Sequence, residues 1–434
     1  MTMCKEWRSK VTDDVKLVVD GDTLLYNAAS ANQNKTFHVY LKDTGEEFFK
    51  EKNVEVTETV CTNPYVLGAF YNGSEEPIYE KRNTGKFINK HFSNKTEFKG
   101  LTRKTISGWL GEHNQERIAQ GKEPYSVDDF RFEETFEPNN INFAYSNFDR
   151  KLKEIKDYLG IQEAIILVGS GECHRHGIDM PVDPSQPDNP LRGRYKGRRD
   201  APKPLQLEEV KQYVIKKYNA VEITGIECDD ALNIHLYKSH LHYVKTGKHF
   251  YVGVSVDKDQ AGFPGMIYNY MKDNDKKWKH PYPYLITGLG ELHIEDNGDI
   301  KGTGHLWRLT QLLIGDLECD GFSPTRYLGI RYGKKSAYDA LHNCKTLKEA
   351  CEVCVAQYWK WFPSGEVTFT SWRGYEVTLT TWEWMDRIWT MLYMLKSRDD
   401  QTTFTSILDH LGVPYKTNPN VEEPNKNETE EENL

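Results

Sequence analysis

Carboxylates are concentrated in four short stretches of this chain: "VDGD" with Asp20 and Asp22, "IECDD" with Glu227, Asp229 and Asp230, "SVDKD" with Asp257 and Asp259, and "GDLECDG" with Asp316, Glu318 and Asp320. Two ionised carboxylates about 4 Å apart repel by roughly 4 kcal/mol at an effective dielectric near 20, so such groups call for a cation. A single Asp after a strand is ordinary, because it caps amides at a helix start and sits well in the helix dipole. Doubled acids in four separate stretches exceed what capping requires. Oxygen ligands without accompanying His or Cys suit Mg²⁺ or Mn²⁺. Two such ions about 3.5–4 Å apart stabilise the attacking and leaving oxygens when a phosphodiester is hydrolysed.

An acidic pocket would repel a phosphate unless cations stood beside it. "LRGRYKGRRDAPKP" supplies them with Arg192, Arg194, Lys196, Arg198, Arg199 and Lys203, and Tyr195 offers a ring on which a terminal base can stack. The plain alternative is an exposed basic loop.

The acids need elements that bring them to one rim. Apolar runs rich in β-branched residues end at them: "VKLVVDGD", "EAIILVGSGE", "VEITGIECDD" and "FYVGVSVDKD". Such runs suit strands buried on both faces, and helical segments "NFDRKLKEIKDYLG" and "LEEVKQYVIKKYN" lie between them, with another helix expected from about Ala231. The expected fold is α/β with a mainly parallel central sheet flanked by helices, whose ligands bind at the carboxyl ends of the strands. Residues 1–30 and 141–310 form the expected core, 31–140 an α+β insertion, 311–415 a C-terminal helical region and 416–434 a disordered acidic tail.

Within the insertion, "TFHVYLKDTGEEFF" alternates and predicts a hairpin turn near Asp43 to Gly45. Further on, Lys86, Lys90, Lys95, Lys99, Arg103 and Lys104 interleave with Phe87, Phe92, Phe98 and Trp109, a pattern open to two readings: a grip on nucleic acid or a solvated amphipathic face. Over 434 residues, 38 % hydrophobic and 28 % charged content indicates a soluble globular protein, and a net charge of −9 argues weakly against a nucleic-acid coat. No apolar run approaches the roughly 20 residues that span a bilayer, and the N-terminus does not resemble a signal peptide. The eight scattered cysteines fit reduced thiols, so a cytoplasmic location is expected.

Taken in order, "VDG", "YKGRR", "ECDD", "SVDKD" and "GD…DG" resemble the metal-dependent 5′-nucleases. These comprise flap endonucleases, the 5′-nuclease domains of bacterial DNA polymerase I, and phage 5′-to-3′ exonucleases and RNase H proteins. The resemblance spans roughly Lys16 to Leu341 apart from the insertion and is closest to the phage members. It implies a PIN-like core and two Mg²⁺ ions, with Mn²⁺ as substitute. Asp20, Glu227, Asp229 and Asp230 would serve the first ion, partly through water, and Asp257, Asp259, Asp316 and Asp320 the second. Lys196 and Arg199 would reach the scissile phosphate and Tyr195 would stack on a base, with Arg194 and Arg198 beside them on the DNA. The helix from about Leu207 to Tyr218 would belong to an arch over single strand. "GIRYGKKSAYDAL" looks like a helix-three-turn-helix, in which Gly333 exposes amides to a duplex phosphate and Lys334 and Lys335 add charge, with K⁺ as an optional ligand.

The implied activity is 5′-to-3′ exonuclease or flap endonuclease on DNA in phage-type replication or recombination, with RNA–DNA hybrid as a further substrate. A single-strand-binding protein is an optional partner, and a monomer in the host cytoplasm is expected. Two alternatives stay open: a PIN-type ribonuclease, and a DNA-binding replication accessory protein without catalysis. Three departures stand out. The acids of "GDLECDG" are four apart where the family usually has three, which brings in Glu318 as an alternative to Asp320. The second strand ends with Gly169 and Ser170 where the family often carries Asp, and the insertion is large.

"CHRHG" and the trio Cys344, Cys351 and Cys354 have the residue types of zinc ligands, but Cys351 and Cys354 fit a packed helix face better. His174, Arg175 and His176 read as polar loop residues facing phosphate. "TWEWMDRIWTMLYML" reads as a core helix.

Overall fold

Leu17, Val18 and Val19 are fully buried, so the first strand is covered on both faces. The computed structural model describes residues 6–61, 79–101, 108–199, 201–271, 282–317 and 320–420, with backbone alone over 51–61 and 79–87. In chain order, β1 (Val11–Asp20) and α1 (Gly21–Ser30) lead into β2 (Gln33–Leu41), β3 (Lys50–Cys61), β4 (Tyr79–Lys90), α2 (Lys95–Lys99), α3 (Trp109–Ala119) and β5 (Phe130–Pro138). Then come α4 (Ile141–Leu159), β6 (Ala164–Cys173), α5 (Leu207–Tyr218), β7 (Val221–Gly225), α6 (Cys228–Thr246), β8 (His249–Val254), β9 (Gly265–Tyr268), β10 (Tyr284–Ile286), β11 (Leu292–Ile294) and β12 (Ile300–Gly302). The C-terminal part holds α7 (Gly304–Ile314), α8 (Lys334–Leu341), α9 (Leu347–Trp361), β13 (Glu366–Thr370), β14 (Glu376–Thr380), α10 (Thr381–Leu392) and α11 (Phe404–Leu411).

The fold is α/β. Its central sheet has six strands in the order β10-β9-β8-β1-β6-β7, parallel except for β10, which runs antiparallel to β9. Side chains of a strand alternate between faces. Leu17 and Val19 enter a core with Leu24, Phe148, Val210 and Val214, whereas Val18 enters the opposite core with Leu232, Leu236 and Leu312. Helices α1, α4 and α5 thus cover one face and α6 the other. β7 departs from the expected two-sided burial: it is an edge strand, and only Ile223 of its five residues is buried.

The helix expected to arch over single strand is instead a layer of the fold. Val210 and Val214 of α5 are fully buried against α1 and α4, an arrangement that holds it on the sheet. α10 is the expected core helix, with Trp384, Met385 and Ile388 fully buried, and Cys351 and Cys354 are free thiols buried on α9.

Asn32–Asn140 forms a separate compact unit. In it β2 pairs antiparallel with β5 and β3 with β4. The expected turn is present: Gly45, at φ +72°, donates its N–H to Leu41 O at 2.8 Å, and the chain returns so that Glu47 bridges Tyr40. Phe92 and Phe98 are buried with Phe37, Val39, Leu110 and Phe130, and Trp109 packs against Phe92 and Phe98. These rings are the unit's core, so Phe92 and Phe98 fit neither open reading, stacking on bases or a solvated face. Side chains of Lys86 and Phe87, with Arg103 and Lys104, lie outside the described residues, as do residues 421–434 of the acidic tail. Among the described residues, no helix is long and apolar enough to cross a membrane.

Candidate metal centre

β1 and β8 are neighbours, but the chain leaves them in opposite directions: β1 is flanked by β6 and β8 by β9. Loops diverging from adjacent parallel strands open a crevice at their carboxyl ends, the usual ligand position in such sheets. Asp20 ends β1 and caps α1, its Oδ1 accepting from Asp22 N at 3.1 Å and its Oδ2 from Thr23 Oγ1 at 3.2 Å. Ser255, just past β8, donates its hydroxyl to Asp20 Oδ2 at 3.3 Å and accepts from Asp257 N at 3.1 Å. Asp257 Oδ1 in turn accepts from Asp259 N at 2.8 Å, which sets the turn Asp259–Gly262.

The crossover α6 brings the third group of acids over the sheet. It starts at Cys228, earlier than the sequence suggested, because Glu227 and Asp230 form a reciprocal capping box. Gln260 Nε2 donates to Asp229 O at 3.2 Å and to Asp229 Oδ1 at 3.1 Å, fastening the helix start to the loop after β8. Gln311 of α7 does the same for Asp259 Oδ1.

Among the described residues, ion pairs go to Glu227, Asp230, Asp316 and Asp320, and none to Asp20, Asp22, Asp229, Asp257 or Asp259. Burial, with Asp22 and Asp257 nearby, pushes the Asp20 carboxyl up to about 7. Burial, then Asp257 and Asp20, pushes Asp229 well above the carboxylate range, and burial with Asp257 does so for Asp259. Desolvation and like charge both disfavour the ionised form. Lys258 lowers Asp259 and Lys196 lowers Asp229, but among the described residues neither forms an ion pair with them, and burial and like charge prevail.

Asp22 belongs to the group, although the sequence reading left it out of the ligand set. Its Oδ1 accepts the Gly169 N–H at 2.8 Å, and a Cβ at Gly169 would stand 2.6 Å from Asp22 Oδ2. The acid missing at Gly169, which the structure places within β6 and not after it, is therefore matched by room for one reaching over from α1. Cys228 was also missed: its sulfur and oxygens of Asp20 and Asp22 lie within 4.8 Å of one another. Burial, followed by Asp22 and Asp20, drives its thiol up.

Asp230 stands apart from these acids. Its Oδ1 accepts from Arg175 Nη2 at 2.8 Å and Leu395 N at 3.2 Å, and its Oδ2 from Arg175 Nη1 at 2.9 Å and Glu227 N at 3.1 Å. A carboxylate has about four lone-pair sites. All four are taken, so the expectation that Asp230 ligates an ion is corrected. Arg175 is likewise no phosphate-facing loop residue, for it is buried.

Glu227 is a hub among cations. Its Oε2 accepts from Arg175 at 2.8 Å and Tyr195 Oη at 2.7 Å, and its Oε1 pairs with Lys196. Against the upward push of burial, Arg175 and Lys196 hold it down at about 2. Tyr195 is 3 % exposed, and its hydroxyl also lies 3.3 Å from Asp320 Oδ2. Its ring has no open face for a base, which corrects the stacking role. Lys196 sits in the left-handed region at φ +57° with its N–H on Asp320 O at 2.8 Å, so the loop is clamped onto the last acidic turn. Burial raises Asp320 to about 6 although Lys196 opposes it. Arg199, its side chain 56 % exposed, pairs with Asp320 Oδ1 at 3.1 Å, and Lys258 pairs with Asp316 Oδ2 at 2.6 Å. Arg198 is held by Asp183, and Arg194 is half-buried. Glu318 lies outside the described residues.

Gly333 caps α8 in extended backbone with open space at its Cβ position. Lys334 pairs with Asp299 at 2.8 Å and Lys335 with Asp339 at 2.7 Å. No family model and no curated protein matches the chain.

Proposed function

We propose that this protein is a metal-dependent nuclease of the 5′-nuclease type, with a PIN-like core and a two-ion centre for Mg²⁺ or Mn²⁺. The observation that carries this reading is the set Asp20, Asp22, Asp229, Asp257 and Asp259, which share one strand-end crevice, form no ion pair among the described residues, and include three carboxyls raised by burial and mutual repulsion. An all-oxygen donor set of this charge suits hard divalent ions. When bound, such ions supply the charge that stabilises the attacking and leaving oxygens of a phosphodiester.

The residues divide the work by position. Asp20, Asp22 and Asp229 would hold one ion between β1 and α6, and Asp257 and Asp259 the other, with Asp316 and Asp320 at its far side. Gln260, Gln311 and Ser255 orient these oxygens through the hydrogen bonds described above. Arg199 and Lys258, paired with Asp320 and Asp316 at the rim, offer cations to a non-bridging phosphate oxygen. Lys196, held on Glu227, adds a third positive charge just behind them.

A buried Tyr195 and a sheet-packed α5 supply no platform for a 5′ end. That observation favours keeping a PIN-type ribonuclease as the second reading. End-labelled 5′-flap DNA, nicked duplex, RNA–DNA hybrid and single-stranded RNA, each with Mg²⁺ or EDTA, separate the two. Cleavage of flap or nicked DNA supports the 5′-nuclease, whereas cleavage of single-stranded RNA alone supports the ribonuclease. No Mg²⁺- or Mn²⁺-dependent cleavage of any of them would remove both.

A further inference from the structure

We infer that the unit Asn32–Asn140 carries a second, chemically different metal site, formed by His38, Glu47 and His91 and suited to a borderline divalent ion of the zinc class. The three residues come together through backbone pairing. Phe37 of β2 bridges Phe92, which sets His91, next after β4, opposite His38, and Tyr40 bridges Glu47, which brings the carboxylate to the other side of the same edge. One ligand atom from each lies within 4.8 Å of the others.

Two details favour an ion over a simple hydrogen-bonded trio. Glu47 Oε1 lies 2.5 Å from His38 Nδ1 and 3.4 Å from His91 Nδ1. Yet His91 Nδ1 is buried and makes no hydrogen bond to any described residue. Ligand atoms about 2.0–2.1 Å from a tetrahedral zinc stand roughly 3.3 Å apart, close to the second of these spacings. The other nitrogen of His38 has a partner as well: Nε2 lies 2.9 Å from Thr135 Oγ1 of β5. When Nε2–H donates to Thr135, the Nδ1 lone pair is free for an ion shared with Glu47, the outer-shell arrangement that orients metal-bound imidazoles; without an ion a proton occupies the 2.5 Å contact between Nδ1 and Oε1. Phe49, with its ring 5.0 Å from His91, supplies an apolar wall.

Two imidazoles and one carboxylate prefer zinc-class ions to Mg²⁺ and leave a position open for water. The ion would tie the strand return and the segment after β4 to β2. This site is independent of the acidic crevice in residues and in metal preference.

The test uses the full chain, stripped with EDTA and titrated with Zn²⁺ by calorimetry and with Co²⁺ by visible absorption. An Asp20→Asn/Asp257→Asn/Asp259→Asn background removes carboxylates from both ion positions of the acidic crevice. One equivalent of Zn²⁺ is expected, along with Co²⁺ bands of a four- or five-coordinate centre, neither displaced by millimolar Mg²⁺. His91→Ala and Glu47→Gln should each weaken Zn²⁺ binding by at least about 100-fold, and Thr135→Val, which removes only the outer hydrogen bond, by about 10- to 100-fold with an unchanged circular dichroism spectrum. Absence of stoichiometric Zn²⁺ binding, or binding that His91→Ala and Thr135→Val leave unchanged, overturns the proposal.

Discussion

Arg175 and Asp230 form a buried bidentate pair at 2.8 and 2.9 Å, and the remaining guanidinium donors go to Glu227, Thr390 O and Tyr393 O. All five N–H groups are used. The pair joins the start of α6 to the end of α10 and leaves Asp230 outside the uncompensated acids, although it is adjacent to Asp229 in sequence.

Removing one partner of a buried ion pair strands the other charge, at a cost of about 3–5 kcal/mol. Arg175→Met is therefore expected to lower the unfolding free energy measured in urea by that order. Asp230→Asn should also destabilise the fold, while its folded fraction keeps the wild-type number of Mn²⁺ ions. Loss of an ion in folded Asp230→Asn would return Asp230 to the ligand set.

Neutralising an acid in the crevice should act in the opposite sense. Asp229→Asn removes charge that burial, Asp257 and Asp20 disfavour, so the metal-free protein should become more stable at pH 8, by about 1 kcal/mol, while cleavage is lost. Thermal unfolding in EDTA measures the first effect. A lower midpoint than wild type would show that the carboxylate is already compensated.

The same groups fix a pH dependence. Asp20 rises from 3.8 to about 7 on folding and Asp320 from 3.8 to about 6. The folded state thus holds more protons than the unfolded state between about pH 4 and 7. Their stability contribution is present at low pH and is lost as pH rises through the folded values. Divalent ions compete with those protons, so the Mg²⁺-induced rise in melting temperature should grow from pH 5 to pH 8. Glu227 runs the other way, from 4.5 to about 2, and its contribution is present above about pH 4.5 and lost as pH falls toward 2. A Mg²⁺ effect independent of pH would contradict the assignment of Asp20.

Gly169→Ala tests whether Asp22 matters where it sits. The added Cβ would stand 2.6 Å from Asp22 Oδ2, so the carboxylate must move. Weaker Mn²⁺ binding and slower cleavage are expected, with a stability loss of about 1 kcal/mol or less. Unchanged Mn²⁺ affinity would take Asp22 out of the centre.

The parallel sheet and the acids at its rim were legible in the sequence because apolar runs and polar strand ends are local patterns. "VKLVVDGD" and "FYVGVSVDKD" each contain both signals. What a carboxylate does once it reaches the rim is not local. Asp229 and Asp230 are neighbours, but the helix turns one toward Gln260 and the other toward Arg175, 55 residues earlier in the chain. Tyr195 and α5 were misassigned for the same reason, since burial depends on partners distant in sequence: Asp320 and Glu227 for the first, α1 and α4 for the second. Asp22 could have been chosen from "VDGD" together with the small Gly169, a pairing visible only once β1 and β6 are known to be adjacent.

The most direct measurement is single-turnover cleavage of a 5′-flap substrate by wild type and by Asp257→Asn, with Mn²⁺ bound per chain counted on the same samples. Asp257 is exposed at the end of β8 and pairs with no cation among the described residues, so its substitution should leave the fold intact. A drop in rate of at least about 10²–10³-fold together with the loss of a bound ion is expected. Asp257→Asn that cleaves at the wild-type rate, or wild type that binds no Mn²⁺, would contradict the two-ion centre.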